Sequence, residues 1–169
     1  MSLTQLGRLL IFLFLLVTVG WGGADRAGQL DDIREAVFRY QFDHCERQGV
    51  GAYVLSVGAD KEGVAQKRTG RQEDPDDELM RRFQGHQPPI VQASVWQQTP
   101  TRWGRVSAFH IMRIAWINDH EVTVEGSCGI PSDQEREEFL YRVMQAAGAW
   151  VVQEHSLLRA TDQDTRGRL

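Results

Sequence analysis

The residues of this chain best suited to chemistry are its cysteines and histidines. Cys45 and Cys128 are the only two cysteines in 169 residues. Cys128 closes the stretch RIAWINDHEVTVEGSCG, residues 113–129, which holds His120; His110 lies just ahead of it, and His44 adjoins Cys45. An imidazole beside a thiol can activate a sulfur nucleophile, and thiolates with imidazoles bind zinc. Spacing decides which of these is available. Neighbours on a helix point apart, which removes His44 with Cys45.

Residues 113–129 alternate in the manner of a β-hairpin. A two-residue turn at Asn118-Asp119 would set Trp116 against Glu121 and Arg113 against Val124. A three-residue turn, Asn118 to His120, sets Trp116 opposite Val122, Ile114 opposite Val124 and His110 opposite Cys128. The second register matches apolar with apolar, the arrangement that stabilises cross-strand pairs, and is the one expected. It sends His120 to the turn, away from Cys128. His110 and Cys128 alone supply two ligands, too few for a zinc site. No third group is placed to orient a base. The sequence therefore predicts no catalytic residue, no metal centre and no cofactor site. The cysteines have another use. In an oxidising compartment they can form one bridge, Cys45–Cys128; the alternative is two unpaired buried thiols.

The elements that must hold these residues are legible in outline. Residues 31–49 read as a helix, with Asp31 or Asp32 as cap, Glu35 completing a capping box and Gly49 as stop. At roughly 100° per residue, Ile33, Ala36, Val37, Tyr40 and His44 share one face, and Phe38, Phe42 and Cys45 lie nearly opposite. His44 near the helix end suits the dipole. A helix on a sheet needs one apolar face. The Phe38/Phe42 face therefore requires a cover, either the second helix or loop of this chain or a partner. Residues 50–57, VGAYVLSV, read as a strand. A long polar connection follows, basic at Lys61 to Arg71 and acidic from Glu73 to Glu78, long enough to be mobile, to be functional or to hide a short hairpin. Residues 74–85 read as a second helix, with Asp74 as N-cap, Pro75 at the first position and Gly85 at its end. Its acids complement the helix dipole more simply than they bind calcium, because the alternating ligands of an EF-hand loop are missing.

Strands are expected at 90–97, 105–117, 122–127, 139–144 and 150–158, with a turn-rich loop at 99–104 and a hairpin around Ala147-Gly148. Strands joined by short connections are mostly antiparallel. The fold class expected is α+β: an N-terminal helix and a short second helix packed on a curved, mostly antiparallel sheet of about five to six strands.

The first 24 residues stand apart. Arg8 precedes an apolar run beginning at Leu9, and Gly22 and Ala24 occupy the −3 and −1 positions of a cleavage site, the layout of a secretory signal peptide. The domain organisation expected is a signal peptide at 1–24, one domain at 25–158 and a disordered tail at 159–169. The destination is the periplasm or the exterior; the alternative is a membrane anchor formed by residues 9–23, the only membrane contact expected. The formal net charge is −4. Losing Arg8 makes the remainder more acidic, which disfavours nucleic acid, since phosphate contact needs a basic field.

Three segments, DDIREAVFRYQF from Asp31, DPDDELMRRFQGHQPPI from Asp74 and AWINDHEVTVEG from Ala115, resemble a family of uncharacterised exported bacterial proteins. The resemblance implies a bacterial envelope or secreted protein and transfers no catalytic residue. Where that family is aromatic after the second hairpin strand, this chain has Ser127-Cys128-Gly129. The succession of strands ending in Tyr141-Arg-Val and Gly148-Ala-Trp-Val-Val also resembles the NTF2-like/cystatin-like cone folds, in which a long helix packs in the curl of an antiparallel sheet. That second resemblance implies a pocket lined by Trp96, His110, Trp116, Tyr141 and Trp150; as simple core, the same aromatics would fill it.

Two functional expectations follow. The first is a non-catalytic binding or interaction module using Phe38, Phe42 and Trp103. The second is an NTF2-like small-molecule carrier or enzyme with its pocket around His110. The ligand or protein partner is not specified by either. A filled core with an exposed apolar patch favours the first, and a pocket holding an ionisable group favours the second.

Overall fold

The computed structural model describes residues 22–45, 48–58, 72–131 and 136–160. The expected leader up to residue 21, the polar connection at 59–71 and the tail from 161 lie outside the described residues. The chain divides into two compact units, Met1–Asp32 and Ile33–Leu169. The described part of the first is helical. The seven strands of the described residues lie in the second.

Helix α1 spans Gly22–His44. It begins well before the expected caps at Asp31 and Asp32, because Ala24, Arg26, Ala27, Gln29 and Leu30 are good helix formers that offer no stop. It ends before Gly49, and His44 Nδ1 donates to the Tyr40 carbonyl at 2.8 Å, satisfying one of the last-turn acceptors. Both expected stripes are occupied. Ile33, Val37, Phe38 and Phe42 are all buried.

Strand β1 is Ala52–Gly58, and β2 (Gln72–Glu73) returns antiparallel beside its end. The polar connection thus does contain a short hairpin pairing. Helix α2, Asp77–Arg81, is capped by Asp76, whose carboxylate accepts from Leu79 N at 2.8 Å. The cap expected at Asp74 has a different employment: its carboxylate accepts from Ser94 N at 3.0 Å, at the start of α3. The buried Pro75 gives its carbonyl to Gln92 Nε2 at 2.8 Å. Asp74-Pro75 is therefore a staple between two short helices, which pushes the first turn of α2 two residues on.

The strand expected over 90–97 is shorter. Only Ile90–Gln92 forms β3, and Ala93–Gln98 forms α3, followed by a 3-10 turn at Pro100–Arg102. Ala, Ser and Gln at 93, 94, 97 and 98 tolerate a helix, and the distant Asp74 caps it. Strands β4 (Val106–Asn118), β5 (Glu121–Gly129), β6 (Arg136–Ala146) and β7 (Ala149–Ala160) form an antiparallel meander. Arg159 and Ala160, expected in the tail, belong to β7. Positive φ at Ala147 (51°) and Gly148 (83°) suits the two-residue turn between β6 and β7.

The sheet is open and mixed, in the order β2-β1-β4-β5-β6-β7, with β3 also on β1. Among the described residues it has seven strands rather than the expected about five to six. The departure from an antiparallel sheet is at β1, which pairs parallel with both β3 and β4. Its link to β4 is a crossover long enough to hold two helices, which permits parallel pairing. The architecture is α+β.

The main core lies on one face of the sheet. There Phe38 and Phe42 meet Tyr53, Leu55, Phe83, Phe109, Ile111 and the apolar residues of β5 and β6. Phe42 is a hub, with ring centroids 5.1 Å from Tyr53, 5.7 Å from Phe83 and 5.1 Å from Phe109. A second, smaller cluster of Ala52, Val54, Val91, Ala93 and Val106 lies on the other face. β1 and the first half of β4 are thus covered on both sides, the position expected of strands apolar throughout.

Candidate functional site

Between α3 and the second face of the sheet, polar residues replace the apolar pattern. On β1, Ser56 interrupts the run of buried Val and Leu. Ser56 pairs in register with His110 on β4, and His110 pairs with Ser127 on β5. Three polar side chains therefore form one row across three adjacent strands. They are buried, at 5%, 8% and 1% exposure for Ser56, His110 and Ser127. A cavity of about 190 Å³ opens over this row, walled by Trp96 and Gln97 of α3, with Arg136 at the start of β6.

The row is tied internally at one point. Ser56 Oγ and His110 Nδ1 are 2.9 Å apart. Burial disfavours the imidazolium and pushes His110 down to about 4; a backbone hydrogen bond to Ser56 works against this, and the positive charge of Arg136 adds to it. His110 is therefore neutral at ordinary pH, with one ring nitrogen a donor and the other an acceptor. Ser127 Oγ is buried and has no hydrogen-bond partner among the described residues. A hydroxyl in that condition costs roughly 1–3 kcal/mol relative to a satisfied one. The row thus combines a neutral imidazole, one engaged hydroxyl and one waiting hydroxyl.

The hairpin expected from the sequence places most of this correctly. Trp116 does face Val122, and Ile114 does face Val124. The turn differs: Asn118 pairs with Glu121, so Asp119 and His120 make a two-residue tip, and the extra residue is absorbed beside it, between Trp116 and Asn118. Further down, a second irregularity between Ile111 and Arg113 shifts the register by one. His110 consequently faces Ser127, and Cys128 faces Phe109. A one-residue slip exchanges the faces of a strand. His110 and Cys128 are therefore on opposite sides of the sheet and cannot act together.

The same irregularity divides the aromatic residues expected around His110. Trp96 does wall the cavity. Trp116, Tyr141 and Trp150 are in the main core on the opposite face. Trp116 and Trp150 meet edge to face at 5.7 Å. Tyr141 accepts from Gln41 Nε2 at 3.1 Å, and burial raises its hydroxyl to about 12. These three are packing, not lining.

The expected interaction surface also changes. Phe38 and Phe42 are 0% and 5% exposed, because Phe83, beyond α2, and Tyr53 cover the second stripe of the helix. They offer no free surface. Trp103 is half-buried against the smaller cluster, with the Arg102 guanidinium 4.8 Å from its ring centroid. His120 is taken up at the hairpin tip, its Nδ1 2.9 Å from Gln145 Oε1.

Cys45 and Cys128 meet at disulfide distance, with Cα atoms 6.4 Å apart across a sequence separation of 83. Among the described residues, no three His, Cys, Asp or Glu side chains gather as a metal site. The described helices include none long and apolar enough to cross a membrane.

Ser56, Ser127 and Arg136 are the site residues that the sequence did not announce. The one available signal for Ser56 is a lone polar residue inside an otherwise apolar buried strand. Ser127 could be found only by counting the irregularity in β4.

No protein-family model, curated protein or solved structure matches the chain. The fold and the cleft therefore define the molecule only as an α+β domain with an open mixed sheet and a small polar cleft on the sheet face away from its main core.

Proposed function

We propose that the protein is an exported, non-catalytic binding module whose ligand sits in the cleft over Ser56, His110 and Ser127. One observation carries the reading. The Ser127 hydroxyl lines the cavity, buried and with no partner among the described residues. Buried polar groups are normally satisfied, and a bound molecule is the economical way to satisfy this one.

The Ser56–His110 pair has the geometry of a nucleophile and its base. A base held near 4 removes a hydroxyl proton poorly at neutral pH. Among the described residues no carboxylate bonds to the ring to strengthen it. Binding is the better use of this chemistry. Export is supported by the leader pattern of the first 24 residues and by the two cysteines at disulfide distance. A helix on one face of the β4–β7 meander supports a relation to the NTF2-like/cystatin-like cone folds, and the segments quoted above support kinship with exported bacterial proteins. In such a cone the ligand would lie between helix and sheet; here that space is filled by Phe38, Phe42 and Tyr141, and the cleft is on the other face.

The test is an NMR screen of small polar compounds against the isotopically labelled protein. Binders should shift the amides of Ser56, His110 and Ser127. A screen whose binders all map elsewhere, or that yields no binder, would overturn the reading.

A further inference from the structure

On the side of the sheet opposite the cleft, the last turn of α1 meets β7 through a group of rings. Tyr40 and His44 are one helical turn apart, and their rings stack with centroids 3.8 Å apart and planes within 10°. His155 of β7 lies opposite Tyr141 of β6, on the main-core side of the sheet. Its Nδ1 is 2.7 Å from the Tyr40 hydroxyl oxygen. The His44 and His155 ring centroids are 6.0 Å apart, and both imidazoles are exposed. Two histidines 111 positions apart in sequence are thus brought to one spot by a helix end and a strand.

The hydrogen bonds fix what each ring offers. A backbone carbonyl can only accept, so His44 Nδ1, 2.8 Å from the Tyr40 oxygen, carries the proton. In the neutral ring Nε2 then holds a lone pair. The Tyr40 hydroxyl oxygen can accept from His155 Nδ1 and leave that ring in the same tautomer. A carbonyl or hydroxyl on the second nitrogen is the usual support of a metal-binding histidine, because it sets the tautomer and orients the ring. The spacing agrees. Two imidazoles bound to one ion at about 2.0–2.1 Å have ring centres roughly 4.5 Å apart when cis and roughly 6.4 Å when trans. The observed 6.0 Å lies in that span.

We infer that His44 and His155 form an open site for a divalent late transition metal, Cu(II) above Ni(II) and Zn(II), with Tyr40 as the positioning residue for both rings. Two imidazoles do not close a structural zinc site, which takes four protein ligands. They do supply half of the tetragonal nitrogen and oxygen set that Cu(II) prefers, with water in the remaining positions, and Cu(II) heads the affinity order for such ligands. The site is independent of the cleft, and neither reading depends on the other.

The test is titration of the full-length protein with Cu(II) at neutral pH, followed by electron paramagnetic resonance and by competition with a chelator. The first equivalent should give an axial signal with coupling to two imidazole nitrogens, and Zn(II) should bind more weakly. His44→Gln and His155→Gln should each weaken Cu(II) binding at least tenfold and leave coupling to one nitrogen. Both side chains are exposed, so the variants keep the fold. The double variant should add little to either single loss, since one imidazole alone holds the ion poorly. Tyr40→Phe should weaken binding about tenfold with both imidazoles still present. His120→Gln, at the hairpin tip, should bind as the parent does. A parent that shows no two-nitrogen signal, or a single His44 or His155 variant that keeps the parent's signal and affinity, would overturn the site. Unchanged affinity in Tyr40→Phe would overturn the role of Tyr40.

Discussion

At the scale of single residues, the cleft turns on an imidazole kept neutral by burial. His110 is pushed down to about 4 in the folded protein and returns to about 6.5 in the unfolded chain. Above pH 6.5 it is neutral in both states and contributes no pH dependence. Between 6.5 and 4 the unfolded chain takes up a proton that the folded protein refuses, so stability falls as pH falls. Below 4 both states are protonated and the loss levels off, on the order of 3 kcal/mol. At pH 5 the penalty should already be roughly 2 kcal/mol relative to pH 7.5. Carboxylates titrate in the same range, so the informative quantity is the difference between the native protein and His110→Gln. Urea denaturation at the two pH values should show a smaller pH-dependent loss in the variant. Equal losses in both proteins would mean that His110 is not held neutral.

At the scale of elements, the strands and the helix stripes were legible, and the site was not. Alternation in residues 113–129 identified the hairpin and two of its facing pairs, because apolar residues on one face leave few acceptable registers. It could not reveal the irregularity beside Met112, since that residue is as apolar as its neighbours. That single extra residue decides whether Ser127 or Cys128 faces His110, and whether Trp116 lines a cavity or fills a core. Periodicity likewise gave α1 two apolar faces without saying what covered the second. The cover is Phe83 and Tyr53, both distant in sequence. The strand expected at 90–97 became largely helical because its cap, Asp74, is twenty residues away. Long-range partners settled what local pattern left open. The approach of α1 to the sheet has its own requirement at Gly126. A methyl there would lie 2.9 Å from Gln41 Nε2 and 3.0 Å from the His110 carbonyl oxygen. The carbonyl is backbone and cannot yield cheaply. Gly126→Ala should therefore cost about 1–3 kcal/mol, the usual penalty of overpacking, in chemical denaturation. A variant as stable as the parent would show that the helix and β5 are less closely apposed.

At the scale of the whole molecule, one cysteine pair and one cleft stand out. Cys45 follows α1 and Cys128 lies near the end of β5, so a bridge would bind helix to sheet at a single point and close most of the domain into one loop. The chain-entropy account gives such a loop at most ~4.5 kcal/mol of stabilisation. Intact mass of the protein expressed with its leader segment, taken without reductant, should show a start at Asp25 and a loss of two hydrogens. Cys45→Ser/Cys128→Ser should lower the denaturation midpoint, and an unchanged midpoint would deny the bridge a structural role. On the proposed reading, the Ser127 hydroxyl is kept for a ligand at the expense of stability. Ser127→Ala, compared with the parent for both melting and affinity, tests it most directly. Removing a buried, unpartnered hydroxyl should raise stability by about 1 kcal/mol. Losing one hydrogen bond to the ligand should weaken binding of the tightest compound about tenfold. The variant should melt higher and bind more weakly; binding as tight as the parent's would mean that the Ser127 hydroxyl does not meet the ligand.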